Sequence, residues 1–157
     1  MKQQLIDRLH AEGCSCVIYN NDHTLLFHKR GVQDLHQLLR TSPDTLRGAM
    51  IADKVVGKGA AVLMAAGGVR WVYADVISQS ALEFLLTHNI EAEYGRVVPN
   101  IINRAGTDIC PVEKLCMQCE GIEDALTLID EFIEKFNEVT NLEQTAIEVL
   151  HLIENAF

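Results

Sequence analysis

Apolar positions along the chain fall into short periodic runs separated by clear breakers. Leu5, Ile6 and Leu9 recur at helical spacing, and Gly13 ends that run. Cys14–Tyr19 and Thr24–His28 are short, β-rich segments around Asn20-Asn21-Asp22-His23, which predicts a hairpin by its turn chemistry. Val32, Leu35, Leu38 and Leu39 then form one helix face, broken by Thr41-Ser42-Pro43-Asp44. Val55 to Ala66 is rich in glycine and alanine and reads as a close-packed buried helix. Val69–Ile77 alternates as a strand, with Trp71 and Tyr73 on one face and Val72 and Ala74 on the other. Next come a helix over Ser80–His88 and a strand over Ala92–Val98. This rhythm predicts α/β layering with parallel strand pairs and right-handed crossovers.

Pro111 suits the first turn of another helix, with Cys110 or Asp108 as cap and Glu113 in the first turn. Ile122, Ala125, Leu126, Ile129, Phe132, Ile133 and Phe136 predict an amphipathic helix. Asn141, with Gln144 three residues on, reads as the cap of a second one, so the end of the chain is expected to be an αα-hairpin.

Charge divides the chain at the same place. The net charge is −9, and residues 120–157 account for all of it, with ten acids against Lys135 alone. Two units are therefore expected, a domain over 1–119 and an acidic helical extension over 120–157. An acidic tail on a body without basic excess excludes nucleic acid as the expected partner. No apolar run approaches the ~18 residues of a membrane span, and Met1 to His10 lacks the pattern of a secretion signal. Five cysteines, an odd number, fit reduced thiols in a cytoplasmic protein. The apolar stripe of the extension needs a cover, and a homodimer through it is expected.

Three polar constellations can carry chemistry. Asp53-Lys54-Val55-Val56-Gly57-Lys58-Gly59 is expected where a helix begins, and the two lysines suit an anion at its N-terminus. It lacks the Walker spacing; the structural alternative is that Asp53 caps the helix and the lysines are solvated. Asn103-Arg104-Ala105-Gly106-Thr107-Asp108-Ile109-Cys110 is the densest polar stretch, with Cys110 placed where a helix N-terminus would activate a thiol. Its structural alternative is a capped polar loop with Cys110 as a small hydrophobe. Cys116-Met117-Gln118-Cys119 falls at the end of a helix, not where a thioredoxin-like motif opens one. For zinc, only Cys14 and Cys16 offer a second pair.

Ile51–Ala61 and Ile102–Lys114 together resemble an uncharacterised bacterial family, a domain of unknown function in the cytidine-deaminase-like fold superfamily, over roughly residues 14–116. The resemblance implies a three-layer α/β/α sandwich around a mixed sheet opened by a hairpin. Zinc deaminases hold their metal with His-x-Glu or Cys-x-Glu at the start of one helix and Pro-Cys-x-x-Cys at the start of the next. Here those positions read Asp53-Lys54 onward and Ser78-Gln79-Ser80, so neither metal nor cofactor is expected. In open α/β sheets, ligands sit beyond the carboxyl ends of the strands. The expected function is therefore binding or catalysis of a small anionic ligand, a nucleotide or phosphorylated metabolite. Lys54, Lys58, Asn103, Arg104 and Thr107 would bind it, Asp53 and Asp108 would serve as acid, base or orienting groups, and Cys110 is the candidate nucleophile. The alternative is a non-enzymatic interaction module in which the polar motif is structural.

Overall fold

Asn21 and Asp22 both adopt positive φ, 50° and 63°. That conformation closes a two-residue turn whose twist matches paired strands, and Asn and Asp tolerate it better than most residues. It joins β1 (Cys16–Asn20) to β2 (His23–Phe27) in antiparallel register, Asn20 opposite His23. On its other side β1 pairs antiparallel with β3 (Met50–Val56). Next come β4 (Trp71–Ser78) and β5 (Glu91–Val98), both parallel to β3, so the sheet order is β2-β1-β3-β4-β5. The structure, a computed structural model, describes residues 1–29 and 31–156.

The sheet separates two cores. On one face α1 (Lys2–Ala11) lays Leu5 and Leu9 against Val17, Met50, Ala52 and Trp71. Burying each leucine stabilises by roughly 1.5–3 kcal/mol, which fixes a ten-residue helix too short to persist alone. The other face carries the larger core, made with α2 (Gln33–Thr41), α3 (Lys58–Gly67), α4 (Gln79–Thr87), α5 (Pro111–Cys116) and the start of α6 (Ile122–Ala156). The expected α/β/α sandwich with a mixed sheet and opening hairpin is the observed architecture.

Two local expectations are corrected. The segment from Val55 is not wholly helical: β3 continues to Val56, and the helix begins only at Lys58 after the extended Gly57. Asp53 and Lys54 are consequently strand residues and cap nothing, because the parallel pairing of Val55 with Val76 and Val56 with Ile77 draws the chain into the sheet. Gly59 then lets α3 meet α5, since a Cβ there would collide with Val112 Cγ1.

The C-terminal αα-hairpin is the second correction. Acidic and helical as expected, the extension is one unbroken helix, α6. Nothing between Ile122 and Ala156 breaks it: there is no glycine or proline. The hydroxyls of Thr140 and Thr145 bond back to the carbonyls of Phe136 and Asn141 within the helix, so residues such as Thr140 and Asn141 cost only a few tenths of a kcal/mol each. Its first three turns bury Ala125, Ile129 and Ile133 in the larger core. Asp130 ties it to α2 through Arg40 and through His36 Nε2 at 2.7 Å. Burial opposes ionisation of Asp130, yet the Arg40 and His36 contacts win and hold its carboxyl below the usual range. From Glu134 to Ala156 every residue is exposed. The break in charge near Gly121 thus precedes the break in packing. Among the described residues no helix is long and apolar enough to cross a membrane.

Candidate functional site

A cleft of about 580 Å³ opens beyond the end of β3. Because β1 runs antiparallel to β3, its first residue, Cys16, and Ser15 just before it form one wall beside Asp53 and Lys54. The segments after β2 and β5 supply Lys29 and Arg104, and Phe27, Val32 and Phe132 give it apolar sides. Lys29, Lys54 and Arg104 have no carboxylate partner among the described residues, while Asp34, Asp53 and Glu113 are the acids in the lining. The site occupies the carboxyl edge of the parallel strands, where α/β sheets receive ligands.

Asp53 lies directly across from Cys16 in the β1–β3 register. Removal from water is the main influence on its carboxyl and raises its pKa from the usual range to about 7. The Val55 amide, which donates to Oδ1 at 3.2 Å, and the Cys16 thiol pull the other way. Burial, reinforced by the Asp53 charge, pushes the Cys16 thiol well above its ordinary value. The pair therefore offers a carboxyl group that changes protonation near neutral pH beside a thiol that stays protonated. Such a carboxyl can serve as general acid or base.

Glu113 is a different kind of acid. Its side chain is 1% exposed, inside the first turn of α5. Oε1 accepts from the backbone amide of Lys58 at 3.1 Å, from the Ser78 hydroxyl, and from Ser80 Oγ at 3.4 Å. Oε2 accepts from the amide of Ile101. The starts of α3 and α4 thus both close onto one carboxylate of the chain itself, with Ser78 also capping α4 through Ala81. The resemblance noted in the sequence would put a zinc ion at these helix starts. Here they present Gly57-Lys58-Gly59, Ser78-Gln79-Ser80 and a carboxylate already saturated by hydrogen-bond donors, a set that does not fit the ion. Among the described residues no group of three or more His, Cys, Asp or Glu side chains comes together as a metal site.

Of the residues expected at the site, Asp53, Lys54, Asn103, Arg104 and Cys110 line the cleft together, and Lys58, Thr107 and Asp108 do not. Lys58 is buried and turns away: its Nζ donates to the Met117 carbonyl at 3.2 Å and lies 6.0 Å from the centre of the Phe84 ring. The glycine after it lets α3 sink against α5, so this lysine is part of the packing. Asp108 is exposed, caps its own neighbour Ile109 at 2.7 Å and faces Lys114 at 3.7 Å. Thr107 serves the loop. Asn103 Oδ1 accepts from the Thr107 amide at 3.0 Å, its Nδ2 donates to Thr107 Oγ1 at 3.2 Å, and Ile102 bridges Ile109 across the loop.

Cys110 precedes Pro111 at the start of α5 and is partly buried, with its amide donating to the Ile101 carbonyl at 2.8 Å. Cys116 ends α5, and burial raises its thiol to about 11. Glu113, Cys16 and Lys29 are cleft residues that no pattern in the sequence singles out. An acid in a helix's first turn is an ordinary sight, and nothing local announces that its donors come from residues 58, 78, 80 and 101.

Residues 4–133 match the family described as TM1506, a domain of unknown function (DUF1893). A crystal structure of a DUF1893 family protein (TM1506) from Thermotoga maritima superposes with a TM-score of 0.74 at 22% identity, covering 82% of this chain and 87% of that one. That likeness establishes the fold. A diaminohydroxyphosphoribosylaminopyrimidine deaminase/5-amino-6-(5-phosphoribosylamino)uracil reductase from the same organism matches at a TM-score of 0.42 and 15% identity, over 60% of this chain and 36% of that one. No curated protein matches the chain.

Proposed function

The chain belongs to the DUF1893 (TM1506) family, a domain of unknown function, so its activity has to be read from its own cleft, and we propose that this cleft binds a small anionic molecule, a nucleotide or phosphorylated metabolite, and exchanges a proton with it. The observation that carries this reading is Asp53, a carboxyl with a pKa of about 7 at the wall of a cleft lined by Lys29, Lys54 and Arg104. The cations attract the anionic group, and Arg104 can grip it with two parallel hydrogen bonds. Asp53 then faces the uncharged part of the ligand, and its protonation state follows pH across the neutral range. Cys110 is the candidate nucleophile and Asn103 holds the loop that presents Arg104. The five cysteines, none of them disulfide-bonded, fit a cytoplasmic setting.

Calorimetric titration with inorganic phosphate, ribose 5-phosphate and nucleoside monophosphates tests the reading. Arg104→Ala should weaken binding by about 1.5–3 kcal/mol, roughly ten- to a hundred-fold, with thermal stability unchanged. Cys110→Ser should leave binding as it is and remove only covalent chemistry. Equal affinities for wild type, Arg104→Ala and Lys54→Ala would remove the anion site.

A further inference from the structure

Cys116 and Cys119 lie outside the cleft, where α5 ends. The Cys119 amide donates to the Cys116 carbonyl at 3.1 Å, and Met117, with φ −56° and ψ −36°, has the dihedrals of the second residue of a type I turn. A turn closed by this bond brings its first and last Cα atoms within about 7 Å, and a disulfide spans about 4.4–6.8 Å. Both thiols are free, and both side chains pack into the larger core. Their access to solvent differs. Cys116 is fully buried, whereas Cys119 is partly open between exposed Gln118 and Glu120. A cation is built into the same turn: the buried Lys58 donates from Nζ to the Met117 carbonyl at 3.2 Å. Burial and the Cys119 charge raise the Cys116 thiol, and the Lys58 ammonium opposes them. At a helix C-terminus, whose carbonyls disfavour a thiolate, that ammonium is the compensating charge.

We propose that Cys116 and Cys119 are a redox-active pair that undergoes thiol–disulfide exchange with low-molecular-weight disulfides, Cys119 reacting first and Cys116 closing the bridge. The Cys119 thiolate attacks one sulfur of the small disulfide. A bond from Cys119 Sγ to that sulfur forms, the S–S bond of the reagent breaks, and its other half leaves as a thiolate that takes up a proton. Cys116 then gives up its proton and attacks Cys119 Sγ, which releases the second half of the reagent as a thiol. The protein loses two electrons and two protons, and one small disulfide becomes two thiols. Access sets the order, since the partly open thiol meets the reagent and the buried one is reached only from Cys119. Cys110 is the wrong partner for Cys116. It stands at the other end of α5, six residues earlier, and a helical rise of 1.5 Å per residue separates the two by roughly 9 Å, beyond the reach of a disulfide.

The test treats the reduced, folded full chain with excess glutathione disulfide, blocks remaining thiols by alkylation and reads tryptic peptides by mass spectrometry. Cleavage after Arg104, Lys114 and Lys135 places Cys110 in one peptide and the pair together in another, residues 115–135. That second peptide should appear unalkylated and lighter by two hydrogens, and dithiothreitol should return it to two alkylated cysteines. Cys116→Ala should stop at a lasting mixed disulfide, heavier by one glutathionyl group on Cys119. Cys119→Ser, a change at a partly open position, should leave Cys116 reduced. Lys58→Met keeps a long apolar stem and removes the charge, so the mixed disulfide should build up before the bridge closes. A wild type in which Cys119 stays unreacted would overturn the proposal, as would one that stops at the mixed disulfide. A bridge joining the Cys110 peptide to residues 115–135 would overturn the pairing, and closure at an unchanged rate in Lys58→Met would overturn the part given to the ammonium.

Discussion

Asp53 and Glu113 line the same cleft and have opposite fates. Glu113 gathers the Lys58 and Ile101 amides and the Ser78 and Ser80 hydroxyls, donors enough to occupy both of its oxygens. Asp53 has the Val55 and Lys54 amides and the Cys16 thiol, too little to offset the loss of water, and its proton stays on up to about pH 7. What separates them is donor supply: Glu113 has partners for both oxygens and is a strut tying three helix starts together, whereas Asp53 lacks a full set and burial keeps its proton on.

The harshest way to break this comparison is Glu113→Ala. It leaves two amides and two hydroxyls facing a hole in the middle of three helix starts, and the expected loss is about 3–5 kcal/mol in urea unfolding, as for other broken buried charged networks. Glu113→Gln keeps one carbonyl acceptor and should lose clearly less. A loss under about 1 kcal/mol for the alanine variant would show that the strut does not bear on folding.

Much of the fold was legible in the sequence for a physical reason: its signals are local. Alternation gave β4 with Trp71 and Tyr73 on the α1 face, and Asn21-Asp22 gave the hairpin turn. Pro111 marked the start of α5. What escaped depends on contacts distant in sequence. Asp53 and Lys54 look like a helix entry until β4 pulls the chain through Val56 into the sheet. Lys58 looks like a surface cation until Gly59 draws its helix onto Val112. Asn141 looks like a cap because its side chain suits that role, yet no breaker residue precedes it to make the chain stop. The cleft itself was half legible. Arg104, Asn103 and Cys110 were singled out by the density of polar types in one loop, but Glu113, three residues past Cys110, has the look of an ordinary cap-region acid.

The second prediction works on Asp53. In the folded chain its carboxyl keeps a proton up to about pH 7, whereas an unfolded aspartate releases it near 4. Between those values the folded state binds more protons than the unfolded one, so stability falls as pH rises from about 4 to about 7 and this contribution is flat outside that window. Asp53→Asn abolishes the ionisation. Relative to wild type the variant should therefore gain stability with rising pH across that range, by roughly 2–4 kcal/mol at pH 8, with no relative change below pH 4. Parallel stability curves for the two proteins from pH 4 to 8 would mean that Asp53 ionises normally and that the contrast with Glu113 is unfounded.

The smallest effect belongs to Cys16, the neighbour that sharpens the contrast instead of removing it. Its thiol is one of the donors that hold the Asp53 pKa down, after the backbone amides of Val55 and Lys54. Cys16→Ala deletes that donor and leaves the apolar wall, so the Asp53 carboxyl should titrate higher than in wild type, by less than one unit, or under about 1.4 kcal/mol. Cys16→Ser supplies a hydroxyl of similar size in the same place and should return the titration toward the wild-type value or below it. Carbon-detected NMR of the Asp53 carboxyl resolves shifts of this size in folded protein. If the alanine variant titrates lower instead, the thiol opposes the charged carboxylate, and the Cys16–Asp53 contact across the β1–β3 register is not a donor to it.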